Sequence, residues 1–239
     1  MSKEKVLHVE NLNIFYNTGG SLISKGEKKQ IVFDANLDIY EGEMVGLLGG
    51  SGCGKSTLGK AILGLIPDVT GKIEHYSEMP QMIFQDPKGS LNPQMTIGRI
   101  LEEPLRIKGG YTKEEMHRQA VEMLESVGLS EEYYERRPDA LSGGQRQRVC
   151  IGLSLMLKPK FIIADEAVSA LDVTVQAQIM RLFVEVNKKY GVAILFISHD
   201  LKVVYQLCDR ILVMDKGRII TEGSDEDIKK MYYEGVNIS

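Results

Sequence analysis

Tryptophan is missing altogether from this chain of 239 residues, cysteine occurs three times and histidine four. Cys53, Cys150 and Cys208 are odd in number and lack metal-site spacing, which excludes a disulfide scaffold and points to a reducing, cytosolic setting. There is no basic excess either: 29 Lys and Arg against 33 Asp and Glu give a formal net charge of −4. A global field for nucleic acid is therefore absent, and no nucleic-acid partner is expected. Long apolar runs are also lacking. The best of them, such as Val192 to Ile197, fall far short of the ~18 residues that span a bilayer. Met1-Ser2-Lys3-Glu4-Lys5 leads into alternating residues rather than a signal-peptide core. Work at a membrane would thus go through a partner. The remaining composition is ordinary for a soluble globular protein, and the length suits one α/β domain with a real core or one domain carrying a smaller subdomain.

The most informative stretch is Gly49-Gly50-Ser51-Gly52-Cys53-Gly54-Lys55-Ser56-Thr57, which fits G-x-x-x-x-G-K-[ST]. Its glycines let several backbone N–H groups face one anion, and the helix starting near Lys55 adds the positive end of its dipole. Lys55 can reach the β- and γ-phosphates of a nucleotide, and the Ser56 hydroxyl can ligate Mg²⁺. The context agrees: Met44 to Leu48 reads as a buried strand, and Leu58 to Leu65 as a helix with Leu58, Ile62 and Leu65 on one face.

Val6 to Tyr16 alternates as a strand broken at Glu10-Asn11, and Ile31 to Tyr40 follows as a second, antiparallel to it. Asn17 to Gln30 between them reads as a long exposed loop. Pro67 to Gly71 is expected to turn, Lys72 to Pro80 to hold little structure, and Gln81 to Phe84 to form a brief strand. From Ile97 to Leu157 the pattern is helical throughout, with a capping box at Thr112 and a stop at Gly128. This stretch, about residues 86–159, is expected to be a helical subdomain inserted into a core formed by about 1–85 and 160–239. Strand and helix then alternate: Phe161 to Ala164, a helix from Asp172 to Tyr190, Val192 to Ile197, a hairpin over Ile211 to Thr221, and a capped helix from Ser224. His8, His75 and His117 have no partner in this reading and are expected on the surface.

Two carboxylates, Asp165-Glu166, follow an apolar strand directly. In a phosphate-loop fold the first can hold Mg²⁺ through water and the second can orient or deprotonate an attacking water. Leu141-Ser142-Gly143-Gly144-Gln145 offers a second exposed helix N-terminus, with Ser142 as its cap. Two such termini could meet one γ-phosphate only if they came from different molecules or if the helical subdomain folded right over. The loop, this pentapeptide and Asp-Glu in this order resemble the ABC (ATP-binding cassette) ATPases, from Leu7 to about Ile228.

The resemblance implies a P-loop NTPase fold with a mainly parallel sheet, an N-terminal antiparallel β subdomain and the inserted helices. It also assigns further roles, with ATP and Mg²⁺ as the nucleotide and metal. Tyr16 falls where the family stacks an aromatic on adenine, although a strand aromatic in the core fits that position nearly as well. Gln85 falls at the glutamine that joins sheet to helices and meets Mg²⁺ or water. Ser169-Ala170-Leu171-Asp172 resembles the loop crossing a dimer interface, and His199 the histidine that bonds the γ-phosphate. On these terms Glu166 polarises the water, Lys55, Gln85 and His199 complete the site, and Ser142 and Gly144 of an opposing subunit close it.

The run from Gln85 to Gly98 followed by Glu103-Pro104-Leu105, the step Gly52-Cys53-Gly54, and Asp172-Val173-Thr174-Val175-Gln176-Ala177-Gln178 are similar to the oligopeptide, dipeptide and nickel importer ATPases. That subfamily implies transmembrane permease subunits, a second ABC ATPase subunit, an external solute-binding protein acting indirectly, and a place on the cytoplasmic face of the membrane. Peptides and nickel or metal chelates are both open as cargo. Ala167-Val168 replaces the family's Pro-Thr, which is expected to loosen that loop; the short 66–84 region implies a reduced antiparallel arm; and the chain stops at Ser239 without the extension of many peptide-importer members. A non-transport ABC ATPase would be expected to carry tandem cassettes, coiled-coil inserts or basic tails. A degenerate binding-only partner would be expected to lack some of Lys55, Asp165, Glu166 and His199.

Overall fold

The computed structural model describes residues 3–18 and 27–224. Two sheets organise them. The first is antiparallel and three-stranded, in the order β2-β1-β4, from β1 (Lys5–Thr18), β2 (Glu27–Tyr40) and β4 (Val69–His75). The second is six-stranded, in the order β5-β6-β7-β3-β8-β9. Its strands are β3 (Met44–Leu48), β5 (Gln81–Ile83), β6 (Phe161–Asp165), β7 (Ala193–Ser198), β8 (Arg210–Asp215) and β9 (Arg218–Gly223). Its first five strands in that order run parallel, and β9 returns antiparallel to β8.

Strands β3, β6 and β7 are buried along their whole length, so they are continuous apolar runs rather than alternating ones. Alternation survives as a division between two cores. Val45, Leu47, Ile163, Leu195 and Ile197 pack towards α1 (Lys55–Ile62) and the small sheet. Met44, Leu48, Ile162, Ile194 and Phe196 face the other way, towards the remaining helices. Between β5 and β6 the regular elements are all helical: α2 (Pro87–Ser90), α3 (Ile97–Lys108), α4 (Lys113–Ser126) and α5 (Gly143–Leu155), with 3-10 turns at Glu131–Tyr133 and Pro138–Ala140. The capping box at Thr112 forms with Glu115, as its spacing predicts. Helix α6 (Val173–Tyr190) ends at Gly191, and α7 (Leu201–Leu207) precedes β8.

Several expectations need correction. The 17–30 segment is not all loop: β1 continues to Thr18 and β2 begins at Glu27, because polar residues extend the hairpin once its register is set. The stretch after Pro67 is not a turn followed by little structure. Val69–His75 becomes a strand by pairing with β1, a tertiary decision invisible in its own polar sequence. Helix α1 stops at Ile62, which leaves Leu65 56% exposed rather than inward. Helix α7 has no counterpart among the expected elements. The expected helix from Ser224 lies outside the described residues. The break at Glu10-Asn11 is real: Asn11 has φ 49 and the β1–β2 register shifts between Val9 and Leu12. The histidines also have partners. His8 Nδ1 lies 2.6 Å from Asp38, His75 Nε2 lies 2.8 Å from the Ile62 carbonyl, and His117 packs edge-on against Tyr134 at 4.5 Å.

Candidate nucleotide site

The sheet order brings the site together. Neighbours β5, β6, β7 and β3 run parallel, so their C-terminal ends share one edge, the position where open α/β sheets bind ligands. Beyond those ends stand Gln85, Asp165-Glu166, Ser198-His199 and the Gly49–Thr57 loop. Gly54 caps α1 from a left-handed conformation (φ 113), which a residue with a Cβ adopts only under strain.

Inside this edge the side chains are already connected. Lys55 is 5% exposed, and its Nζ donates to the carbonyls of Gly49 (2.7 Å) and Gly50 (2.9 Å), so the ammonium is held against the loop that it would leave to meet a phosphate. Ser56 Oγ donates to Asp165 Oδ1 at 2.8 Å. Burial, with Glu166 next to it as a second negative charge, pushes the Asp165 carboxyl above the usual carboxylate range despite the Ser56 hydrogen bond.

Glu166 is the meeting point. Gln85 Nε2 donates to its Oε2 at 2.9 Å, and His199 Nδ1 lies 3.3 Å from its Oε1. Its backbone is left-handed (φ 47). It is held there by Glu166 N–H donating to Ile197 O and by the Ser169 hydroxyl donating to Glu166 O. Such a strained backbone persists only where its surroundings determine it, and it aims the carboxylate into the cleft. A cavity of about 250 Å³ lies between Ser51, Gly52 and Gly54 to Thr57 of the loop, Gln85, Glu166 and Ile31, matching a phosphate chain more than a whole nucleotide. A larger concavity, about 640 Å³, lies elsewhere, between the ends of α4, α5 and α6, and holds none of the motif residues.

The other expected residues are placed as follows. Tyr16 is 41% exposed on β1, so the core-packing alternative does not hold, and it does not line the loop cavity. Ser142 caps α5 by accepting from Gln145 N–H, and Gln145 Oε1 accepts from Ser142 N–H, so Leu141–Gln145 presents an ordered helix N-terminus. It is not among the residues lining the loop cavity. Leu171 lies within reach of Gly143, and Asp172 caps α6 by accepting from Val175 N–H at 3.0 Å, so pentapeptide and loop form one surface. Ala167 and Val168 are each 3% exposed, packed into the core rather than loosening the turn. Two features escaped the sequence: the lock of Lys55 on its own loop, and Gly217, whose N–H donates to Cys53 O while its carbonyl accepts from Phe33 N–H. A glycine after Asp-Lys reads as hairpin chemistry alone, so no local signal revealed that brace.

A model of the ABC transporter family matches residues 32–169, more than half of the chain. This chain belongs to the ABC transporter family. It is 41% identical over 243 residues to the dipeptide transport ATP-binding protein DppF of Lactococcus lactis subsp. cremoris, covering 94% of this chain and 76% of DppF. It is 40% identical over 241 residues to the glutathione import ATP-binding protein GsiA of Pectobacterium atrosepticum; the match covers 94% of this chain but only 39% of GsiA. Among solved structures, the dimeric post-hydrolysis state of the ATP-binding cassette MJ0796 with ADP and Pi superimposes with a TM-score of 0.78. The two are 29% identical, with 92% of this chain and 98% of that one covered. The α/β architecture with its antiparallel arm is that of an ABC ATPase, and the chain is an ATPase of this type.

Proposed function

We propose that this chain is the ATP-hydrolysing subunit of a membrane importer for small peptides. The observation that carries the hydrolytic part is the convergence of Gln85 and His199 on Glu166, at the mouth of the loop that holds Lys55. Phosphoryl transfer asks for placement and charge neutralisation rather than covalent chemistry, and these residues supply both. The loop amides and Lys55 bind the β- and γ-phosphates. Glu166 accepts the proton of the attacking water, Gln85 holds the carboxylate from one side, and His199 lies against the other and reaches the γ-phosphate. Tyr16, exposed on β1, stacks on adenine.

The Ser56 hydroxyl and the buried Asp165 carboxyl fit a divalent cation: a carboxylate 5% exposed, with one neutral hydroxyl as its hydrogen-bond partner, is short of positive charge. Mg²⁺ held there, with Gln85 near it, would neutralise charge building between the β- and γ-phosphates.

The Leu141–Gln145 segment and the Ser169–Asp172 loop form a surface apart from the loop cavity, and this supports closure of each site by the pentapeptide of a second cassette. No helix among the described residues is long and apolar enough to cross a membrane. By analogy with the importer ATP-binding relatives, permease subunits would supply the membrane-spanning path, this chain would dock on their cytoplasmic side, and an external solute-binding protein would deliver cargo. Peptide rather than nickel or a metal chelate is favoured, because the relatives described above are named for a dipeptide and for glutathione.

The test is affinity capture of the tagged chain from detergent-solubilised membranes, followed by peptide uptake in cells lacking it. Recovery of two integral-membrane proteins and loss of dipeptide uptake are expected. Capture without any integral-membrane protein would end the importer reading while leaving the ATPase intact.

A further inference from the structure

The helix N-terminus at Ser142 is held by more than its capping box. Gln145 uses Oε1 to accept from Ser142 N–H, and its Nε2 donates to the Tyr133 hydroxyl at 2.8 Å. With both ends of the amide engaged, the Gln145 side chain has one orientation, and with it the Ser142 backbone. Tyr133 is itself fixed. The Arg136 guanidinium lies 4.3 Å from the centre of its ring, and Arg136 N–H donates to Tyr133 O at 3.1 Å. The same 3-10 turn is tied to the start of α3: Ile97 N–H donates to Arg136 O (2.8 Å) and Gly98 N–H to Tyr134 O (2.9 Å). On the far side of the pentapeptide, Arg146 Nη1 donates to Pro138 O at 3.2 Å and to Leu141 O.

The capping box already satisfies the Ser142 and Gln145 N–H groups without help from Tyr133. The additional bond to Tyr133 adds orientation, since an amide with one free end can rotate or flip. We propose that Tyr133 is a positioning residue: it aims Ser142 and Gln145 at the nucleotide held by a second copy of this chain. The inference rests on the reading of Leu141–Gln145 as the segment that closes a partner's site.

The test uses the full-length Glu166→Gln chain, alone and with Tyr133→Phe or Ser142→Ala added. Removing the hydroxyl of Tyr133 while keeping its ring deletes one hydrogen bond, and about a fivefold effect is expected from its net strength. Hydrogen exchange at the Ser142 amide of the monomer should quicken by about that factor. The Mg-ATP-dependent dimer, followed by light scattering across protein concentrations, should weaken by about fivefold. Binding of a fluorescent ATP analogue to the monomer should stay within twofold of the parent, a separation that general destabilisation would not give.

Unchanged exchange at Ser142, or faster exchange with an unchanged dimer constant, overturns the role of Tyr133. If Ser142→Ala weakens the dimer while Tyr133→Phe does not, only this inference falls. If Ser142→Ala also has no effect, or if the parent binds Mg-ATP and never pairs, closure by a second copy falls and the inference falls with it.

Discussion

Replacing Glu166 by Gln isolates one proton-accepting group with almost no change in shape. The variant side chain has the same length, and its backbone at φ 47 is equally strained in both forms, so the turn held by Ile197 O and the Ser169 hydroxyl persists. The side-chain carbonyl oxygen of the variant can still accept from Gln85 Nε2, which lies 2.9 Å from a carboxylate oxygen in the parent. The new amide nitrogen then faces His199 Nδ1, 3.3 Å from the other parent oxygen, which accepts when the imidazole proton sits on Nε2. The contact with His199 is at an exposed position, so losing the charge should leave the melting temperature within roughly 2 °C.

Catalysis should respond very differently. A positioned general base contributes about 10²- to 10⁴-fold, or about 2.7 to 5.4 kcal/mol of barrier at 1.36 kcal/mol per decade. Single-turnover phosphate release with Mg-ATP should therefore slow at least ~100-fold, while affinity for the nucleotide, set by the loop and Lys55, should stay within a few-fold. Hydrolysis retained above roughly a tenth of the parent rate would remove Glu166 as the base. The convergence of Gln85 and His199 on it would then be only a structural knot.

Cysteine reactivity and the Gly217 brace give two further tests. Burial, with Asp86 adding its negative charge, pushes the Cys150 thiol up to about 12, and burial also pushes Cys208 well up, whereas Cys53 is half-buried in the phosphate loop. At about pH 8 a thiol reagent should titrate a single cysteine of the native chain, mapped to Cys53 by peptide mass, and bound ATP should slow it at least ~10-fold; prompt reaction of Cys150 would contradict the packing. Gly217→Ala would place a Cβ 2.2 Å from Ile31 O at φ 81 and disturb the bonds to Cys53 O and Phe33 N–H. A loss of about 3 kcal/mol, roughly 6–12 °C, with weaker ATP binding is expected, and an unchanged melting curve would show that the brace is dispensable.

What could be read in the sequence was what depends on local chemistry. Gly49 to Thr57, Asp165-Glu166 and Ser142 each carry their geometry in a few adjacent residues, and the buried strands β6 and β7 announce themselves as apolar runs. What could not be read depends on pairing at a distance. Strand β4 exists because β1 offers it a partner, and α7 is a short helix with no long period to detect. The Gln145–Tyr133 bond joins residues twelve apart across an irregular turn, for which no periodicity exists. The bond between Gln85 and Glu166 spans 81 residues and follows only from the parallel pairing of β5 with β6.

That last bond also bears on how hydrolysis and movement are joined. Gln85 lies two residues past the end of β5, and Asp86 immediately caps α2, so the segment entering the helical region is one residue away from the amide that holds Glu166. Strand β5 is short and lies at the sheet edge, paired on one side only, which makes it the least constrained strand of the parallel set. A displacement of α2 and α3 by about 1 Å would break a 2.9 Å hydrogen bond without disturbing β6 or the loop, because the bond's tolerance is narrower than that shift. Glu166 would keep its place from Ile197 O and Ser169 but lose its Gln85 restraint. Under the proposed function, a permease pressing on the helical region therefore acts on the catalytic carboxylate through one side chain, and the same side chain carries the state of the site back to the permease.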